Sequence, residues 1–188
     1  MIRITGGDFR NRRLDTPKNW DIRPTREVMR LALFNMYYNR ILRASVLEIF
    51  AGTGAVGFDA LSRKAAEVTF VDNANQSIQL LKSSAAKLEV EERIHLIRRD
   101  WKPALRELGA LGRKFDLIFA DPPWKSDLER AVLELVVETG ILAENGWLAI
   151  ESPGGRATAF PADLLPVRVD RDYGISRLTV FTTEQDEG

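Results

Sequence analysis

Ser45-Val46-Leu47-Glu48-Ile49-Phe50-Ala51-Gly52-Thr53-Gly54-Ala55-Val56-Gly57-Phe58 is the stretch that decides the fold. Its first six residues are an apolar run of strand length, and glycines at 52, 54 and 57 then open a helical pattern. A strand, a glycine-rich turn and a helix begin a βαβ unit. Outward from it, strand candidates at 68 to 72, 94 to 98, 115 to 120 and 147 to 152 alternate with helical segments near 56 to 65, 74 to 88, 102 to 111 and 126 to 138. Parallel neighbours need right-handed crossovers, so this alternation predicts an α/β, Rossmann-like, doubly wound sheet. Asn73-Ala74-Asn75-Gln76 and Ser126-Asp127-Leu128-Glu129 have capping-box form, and Pro103 suits a first helical turn.

The two ends of the chain break the alternation. Near the N-terminus, Thr25 is placed to cap a helix running to about Tyr38, with Val28, Leu31, Phe34, Asn35 and Tyr38 as its stripe. After Ser152, Pro153-Gly154-Gly155 opens a loop, and strand candidates at 167 to 171 and 177 to 182 flank Asp172-Tyr173-Gly174. A closing hairpin fits that spacing better than another crossover. The predicted organisation is a basic N-terminal arm and helix over 1–43, a main domain over 44–183, and a polar tail over 184–188 expected to be disordered.

Composition narrows the chemistry. The 188 residues, 45% hydrophobic and 29% charged, suit one soluble domain, and the absence of a long apolar run or signal peptide makes a cytoplasmic protein without membrane contact the expectation. Zero cysteines exclude disulfides, Cys-ligated metals and every thiolate nucleophile, including base C5 methylation through a Cys adduct. The single histidine, His95, lies in a strand-like run, which leaves a Ser-His-Asp triad poorly supported. The net charge of zero hides an asymmetry. Residues 1 to 43 carry ten basic side chains (Arg3, Arg10, Arg12, Arg13, Lys18, Arg23, Arg26, Arg30, Arg40, Arg43) against Asp8, Asp15, Asp21 and Glu27, hence +6, and the remainder is −6. A basic arm with Phe9 and Trp20 interleaved points to an anionic polymer meeting one face.

Two strand ends carry the candidate chemistry. In α/β sheets ligands bind outside the carboxyl ends of the strands. The glycine loop would let a ligand touch backbone at a helix N-terminus, whose N–H groups and dipole attract a carboxylate or phosphate. Asp72 ends the second strand, placed for the two hydroxyls of a ribose. Asp100 ends the third, placed for an adenine amino group or as a helix cap. Glu48, Phe50, Gly52, Thr53, Gly54, Asp72, Asn73, Asp100 and Trp101 form the cofactor-binding set. At the fourth strand end, Asp121-Pro122-Pro123-Trp124 must leave the sheet, because neither proline donates to a ladder. It offers a carboxylate and carbonyls to an exocyclic amine and an aromatic plane to a flat base, and is the candidate catalytic segment. Gly52-x-Gly54-x-x-Gly57 with an acid twenty positions past Gly52 also satisfies the dinucleotide fingerprint, so an NAD-dependent oxidoreductase is a rival. The Asp121 to Trp124 turn favours S-adenosylmethionine, its methionine carboxylate at the helix start and its methyl group facing the fourth strand end. No metal is required.

Together these residues resemble class I S-adenosylmethionine-dependent methyltransferases. The whole set is similar to the RsmD-type family of 16S ribosomal RNA guanine-N2 methyltransferases. Arg3-Ile4-Thr5-Gly6-Gly7-Asp8-Phe9-Arg10, then Arg23-Pro24-Thr25 leading to Leu33-Phe34-Asn35, resemble that family's opening signature, and Tyr173-Gly174 its ending. The resemblance implies a seven-stranded, mostly parallel sheet with a reversed last strand. It also implies methylation of one guanine of the small ribosomal subunit; direct in-line transfer requires no covalent intermediate, and a monomer is expected. Arg10, Arg12, Arg13, Arg23 and Arg26 would hold RNA phosphates. Departures are Leu31, where the family usually has an acid after the helix arginine, and Glu27, where Asp is common. Other amine or amide nitrogens, adenine N6 among them, and a catalytically silent RNA-binding domain remain open alternatives.

Overall fold

A computed structural model describes residues 2–17, 24–124, 128–155, 160–161 and 163–184, the side chains of 24–26 excepted. A two-stranded ladder, β1 (Ile2–Arg3) with β2 (Arg13–Leu14), precedes α1 (Pro24–Met36). The main domain then runs β3 (Ser45–Ile49), α2 (Ala55–Ser62), β4 (Glu67–Asp72), α3 (Asn75–Leu88), β5 (Ile94–Arg98), α4 (Trp101–Ala110), β6 (Phe115–Ala120), α5 (Leu128–Thr139), β7 (Leu142–Pro153), β8 (Val167–Tyr173) and β9 (Ser176–Thr182).

Seven of these strands form one sheet in the order β5-β4-β3-β6-β7-β9-β8. The first five are mutually parallel. β9 inserts antiparallel between β7 and β8, so the last strand is reversed, as the family resemblance implied. The closing hairpin is present, Tyr173 pairing with Ser176 across Gly174-Ile175. Alternation along the strands splits the core in two. Val46, Val68, Phe70, Leu117, Ala149 and Val180 pack under α1, α2 and α3. Leu47, Ile49, Val71, Ile118 and Ile150 pack under α4 and α5. Strand order reverses at β3, between β4 and β6, which is where a doubly wound sheet opens a crevice.

Four local expectations need correction. The inward face of α1 is Met29, Arg30, Leu33, Phe34 and Tyr37, while Val28 and Tyr38 are 55% and 74% exposed. Arg30 lies inward among these apolar residues, its guanidinium 2.7 Å from the buried Asp59 carboxylate. Helix α1 opens at Pro24, so Thr25 lies within its first turn. The N-cap of α3 is Ala74 without a side-chain bond, so the capping box at Asn73 does not form and Asp72 serves Ala74 N–H instead. Strand β7 starts at Leu142 rather than 147, because the ladder with β6 continues through an irregularity between Phe115 and Leu117. The capping box proposed at Ser126 falls outside the described residues. So does the tail from 185, whereas Glu184 accepts from Arg40 at 2.5 Å and Arg168 at 3.0 Å.

The arm is fixed to the domain by the ion pair between Arg30 on α1 and Asp59 on α2. Asp59, fully buried on α2, accepts from Arg30 Nη1 at 2.7 Å, Arg63 Nη1 at 2.7 Å, and the Thr5 N–H and hydroxyl at 2.7 and 2.9 Å. Arg30 also donates to the Arg3 carbonyl at 3.0 Å. Removing one partner of such a buried pair typically costs about 3–5 kcal/mol, because a charge is stranded in the core. Gly7 (φ 76°) explains the Gly6-Gly7 pair: an added Cβ would lie 2.0 Å from the Ser62 carbonyl oxygen, so the arm can approach α2 only as glycine.

Candidate functional site

The glycine loop is held by carboxylates. Phe50 follows β3 with φ 58°, a left-handed conformation that is uncommon for an aromatic residue and that turns the chain across the strand ends. Asp72 follows on β4: its Oδ2 accepts from Gly52 N–H and its Oδ1 from Ala74 N–H, both at 2.8 Å. The two bonds fix the carboxylate at the crevice, and each oxygen keeps a second lone pair. Gly54 (φ 72°) closes the turn where a Cβ would meet Leu81 Cδ2 at 2.4 Å.

Glu48 behaves differently from the expectation for the helix start. Buried at β3, its carboxylate accepts from Gly57 N–H at 2.7 Å and Val56 N–H at 3.3 Å, two of the orphan donors of α2. The anion site at that helix end is thus taken by a side chain of the protein. This corrects the placement of a methionine carboxylate on those two N–H groups. It also argues against the dinucleotide reading, whose pyrophosphate would meet a resident carboxyl group. Burial pushes the Glu48 carboxyl up to about 8, against the pull of the two N–H bonds and Arg30; Asp121 adds to the rise.

The loop and the Asp121 to Trp124 turn share one cavity of about 750 Å³ at the carboxyl ends of β3, β4, β6 and β7. Glu48, Phe50, Gly52, Thr53, Asp72, Asn73, Asp100 and Trp101 line it on the loop side, and Asp121, Pro122, Pro123 and Trp124 on the other. Phe50 and Trp101 lie 5.7 Å apart between ring centroids, an apolar wall suited to a flat ring. Asp100 caps α4 through Lys102 N–H at 3.0 Å, the alternative role foreseen for it, and is also on the wall. Gly54 supports the turn from behind. Arg10, Arg12 and Arg13 are exposed on the arm, Arg12 stacking 5.8 Å from the Phe9 centroid and donating to the Lys87 carbonyl. Arg23 and the Arg26 side chain fall outside the described residues. Arg30 and Arg40, counted in the basic arm, are spent on internal pairs. His95 is an exposed strand residue bonded to Glu67 at 3.1 Å, away from the cavity.

Sequence reasoning missed Glu27, Arg30 and Glu151 on the cavity wall. Glu151 carried a usable signal: it is an acid at the carboxyl end of a buried strand, as Asp72 and Asp121 are. From sequence, Glu27 reads as one of the arm's four acids and as a departure from the family pattern.

Comparison with known proteins agrees with this fold. The family model described as "Conserved hypothetical protein 95" matches residues 2–182. The chain belongs to that family. The Escherichia coli ribosomal RNA small subunit methyltransferase D is 36% identical over 153 residues, spanning 81% of this chain and 72% of its own. The solved structure of the E. coli protein yhhF superposes with a TM-score of 0.85 at 29% identity, covering 97% of this chain and 98% of the other. A SAM-dependent methyltransferase from Agrobacterium tumefaciens, 21% identical, superposes with a TM-score of 0.65 over 87% of this chain and 63% of its own, and shows the shared fold alone. This member of the Conserved hypothetical protein 95 family thus has the Rossmann-like fold of the S-adenosylmethionine-dependent methyltransferases. Among its described residues no helix is long and apolar enough to cross a membrane.

Proposed function

We propose that this chain transfers a methyl group from S-adenosylmethionine to the exocyclic N2 of one guanine in 16S ribosomal RNA of the small subunit, acting as a cytoplasmic monomer. The observation that carries the reading is the single cavity joining the Asp72 and Phe50–Trp101 side to the Asp121 to Trp124 turn. The residues present fit the cofactor. Asp72 holds oriented lone pairs toward a ribose, Phe50 and Trp101 flank a ring, and the Glu48 carboxyl suits a cationic group. When bound, S-adenosylmethionine supplies a sulfonium methyl group that leaves its sulfur as nitrogen attacks.

The rest of the work falls to the chain. A target guanine must be unstacked, costing a few kcal/mol, and stacking on Trp124 offsets much of this at roughly 1–3 kcal/mol per base. A guanine amine is a weak nucleophile because its lone pair delocalises into the ring. Asp121 and the Pro122 carbonyl accept hydrogen bonds from its two N–H groups, orienting the lone pair and stabilising the positive charge that develops on nitrogen, and the Asp121 carboxylate takes the proton that the methylated nitrogen sheds. Orientation contributes most, since well-placed reactants save about 7–11 kcal/mol of barrier. Arg10, Arg12 and Arg13, exposed on an arm that Asp59 anchors, grip phosphates and position the RNA without specifying sequence.

The test is transfer of labelled methyl groups to small subunits lacking the modification, followed by nucleoside analysis. N2-methylguanosine is the expected product. Label in another nucleoside, or binding without transfer, would overturn the assignment.

A further inference from the structure

Glu151 is the buried charged residue on the cavity wall that the chemistry above leaves unused. Its place follows from the sheet. Ala120 pairs with Ile150 in the last rung of the parallel β6–β7 ladder, so Asp121, just past the end of β6, and Glu151, still within β7, each stand one residue further on. Phe119 and Ala149, two residues earlier in each strand, both belong to the core on the α1–α3 side, so the period of two turns Glu151 toward the side from which Arg30 and Glu48 line the cavity. The side chain is 2% exposed, and Ser176 Oγ on β9 donates to its Oε1 at 2.7 Å, fixing the carboxyl group from behind. An acidic group placed at such depth, and braced by a hydroxyl from the neighbouring strand, is suited to a ligand that brings N–H donors.

Base chemistry identifies that ligand. Among the amine-bearing bases, guanine alone presents a ring N–H beside its exocyclic amine. Adenine has N1, and cytosine N3, as a lone pair in the equivalent place. Two carboxyl groups on adjacent strand ends match a donor–donor edge and oppose a donor–acceptor one. We propose that Glu151 accepts the N1–H of the target guanine while Asp121 and Pro122 accept from N2, making Glu151 the specificity-determining residue that selects guanine over adenine. This rests on the guanine-N2 reading. A site built to bond a particular donor rejects the analogue lacking it, because its own polar group is then left unsatisfied.

The experiment uses the full chain and 16S RNA assembled into small subunits, with the methylated position first mapped with the unaltered protein. That nucleotide is then replaced by 2-aminopurine, which keeps the N2 amine but has a lone pair at N1. The unaltered protein should favour guanine over 2-aminopurine by about a hundredfold or more in kcat/KM. Glu151→Gln, whose amide can both accept and donate, should reduce that ratio to within about tenfold while retaining cofactor affinity. Ser176→Ala should give an intermediate ratio, since it only loosens the carboxyl group. A Glu151→Gln protein that folds normally but slows on both substrates by one factor would make Glu151 a brace for β9 and overturn the proposal. So would an unchanged ratio. Should the unaltered protein yield no N2-methylguanosine at all, the broader reading falls, an outcome distinguishable from a Glu151 variant that fails to shift the ratio.

Discussion

On the β3 and β4 side of the cavity, carboxylates hold the backbone in place: Glu48 serves two N–H groups of α2 and Asp72 serves Gly52 and Ala74. On the β6 side the backbone of Asp121-Pro122-Pro123-Trp124 is stiff through its own prolines, and Asp121 lines the cavity. The difference teaches where acids serve shape and where they serve chemistry. An acid that braces a flexible glycine loop affects folding and cofactor binding together, whereas one beside a proline turn can be removed with the turn intact.

The largest effect should therefore come from Asp121→Ala. Single-turnover methyl transfer should fall by about 10²–10³, the range seen when one preorganised polar partner of a transition state is lost, with cofactor affinity by calorimetry changed less than about threefold. Near-normal transfer would remove the chemical role from the β6 side and break the contrast. Asp72→Ala comes next, since it deletes two backbone anchors as well as the acceptor for a ribose. Its cofactor dissociation constant should rise about ten- to a hundredfold, accompanied by a lower melting temperature. Loss of affinity without loss of stability would mean that Asp72 acts on the ligand alone and the loop holds itself.

The period of buried strands and helices made the five parallel strands, the helices between them and the closing hairpin legible from sequence, as were the strand-end positions of Asp72 and Asp121. The phase of α1 was not. Arg30 reads as a surface charge until Asp59, twenty-nine residues away on α2, is known to face it. The role of Glu48 was hidden for the same reason. A strand acid before a glycine loop suggests a ligand contact, and only the folded turn shows its oxygens already bonded to Val56 and Gly57. The position of Glu151 near a strand end was legible, but its place level with Asp121 depended on the register of β6 with β7, which local pattern does not supply.

Glu48 gives the smallest effect and the finest division between brace and ligand contact. Its carboxyl is pushed up from 4.5 to about 8 in the folded protein, so folding favours the protonated form. The associated stability is fully present below about pH 4.5 and is lost as pH rises through 8. Glu48→Gln carries no titrating group there. The melting-temperature difference, unaltered protein minus variant, should decline between pH 5 and 8 and then level off. A difference that stays flat would mean that burial does not hold this proton. Repeating the series with saturating S-adenosylmethionine sharpens the test, because a cationic group near Glu48 favours the carboxylate and draws its titration to lower pH. The decline should then shrink and finish earlier. If the two series coincide, Glu48 belongs wholly to the brace, and the cofactor's cationic groups lie nearer the Asp121 side.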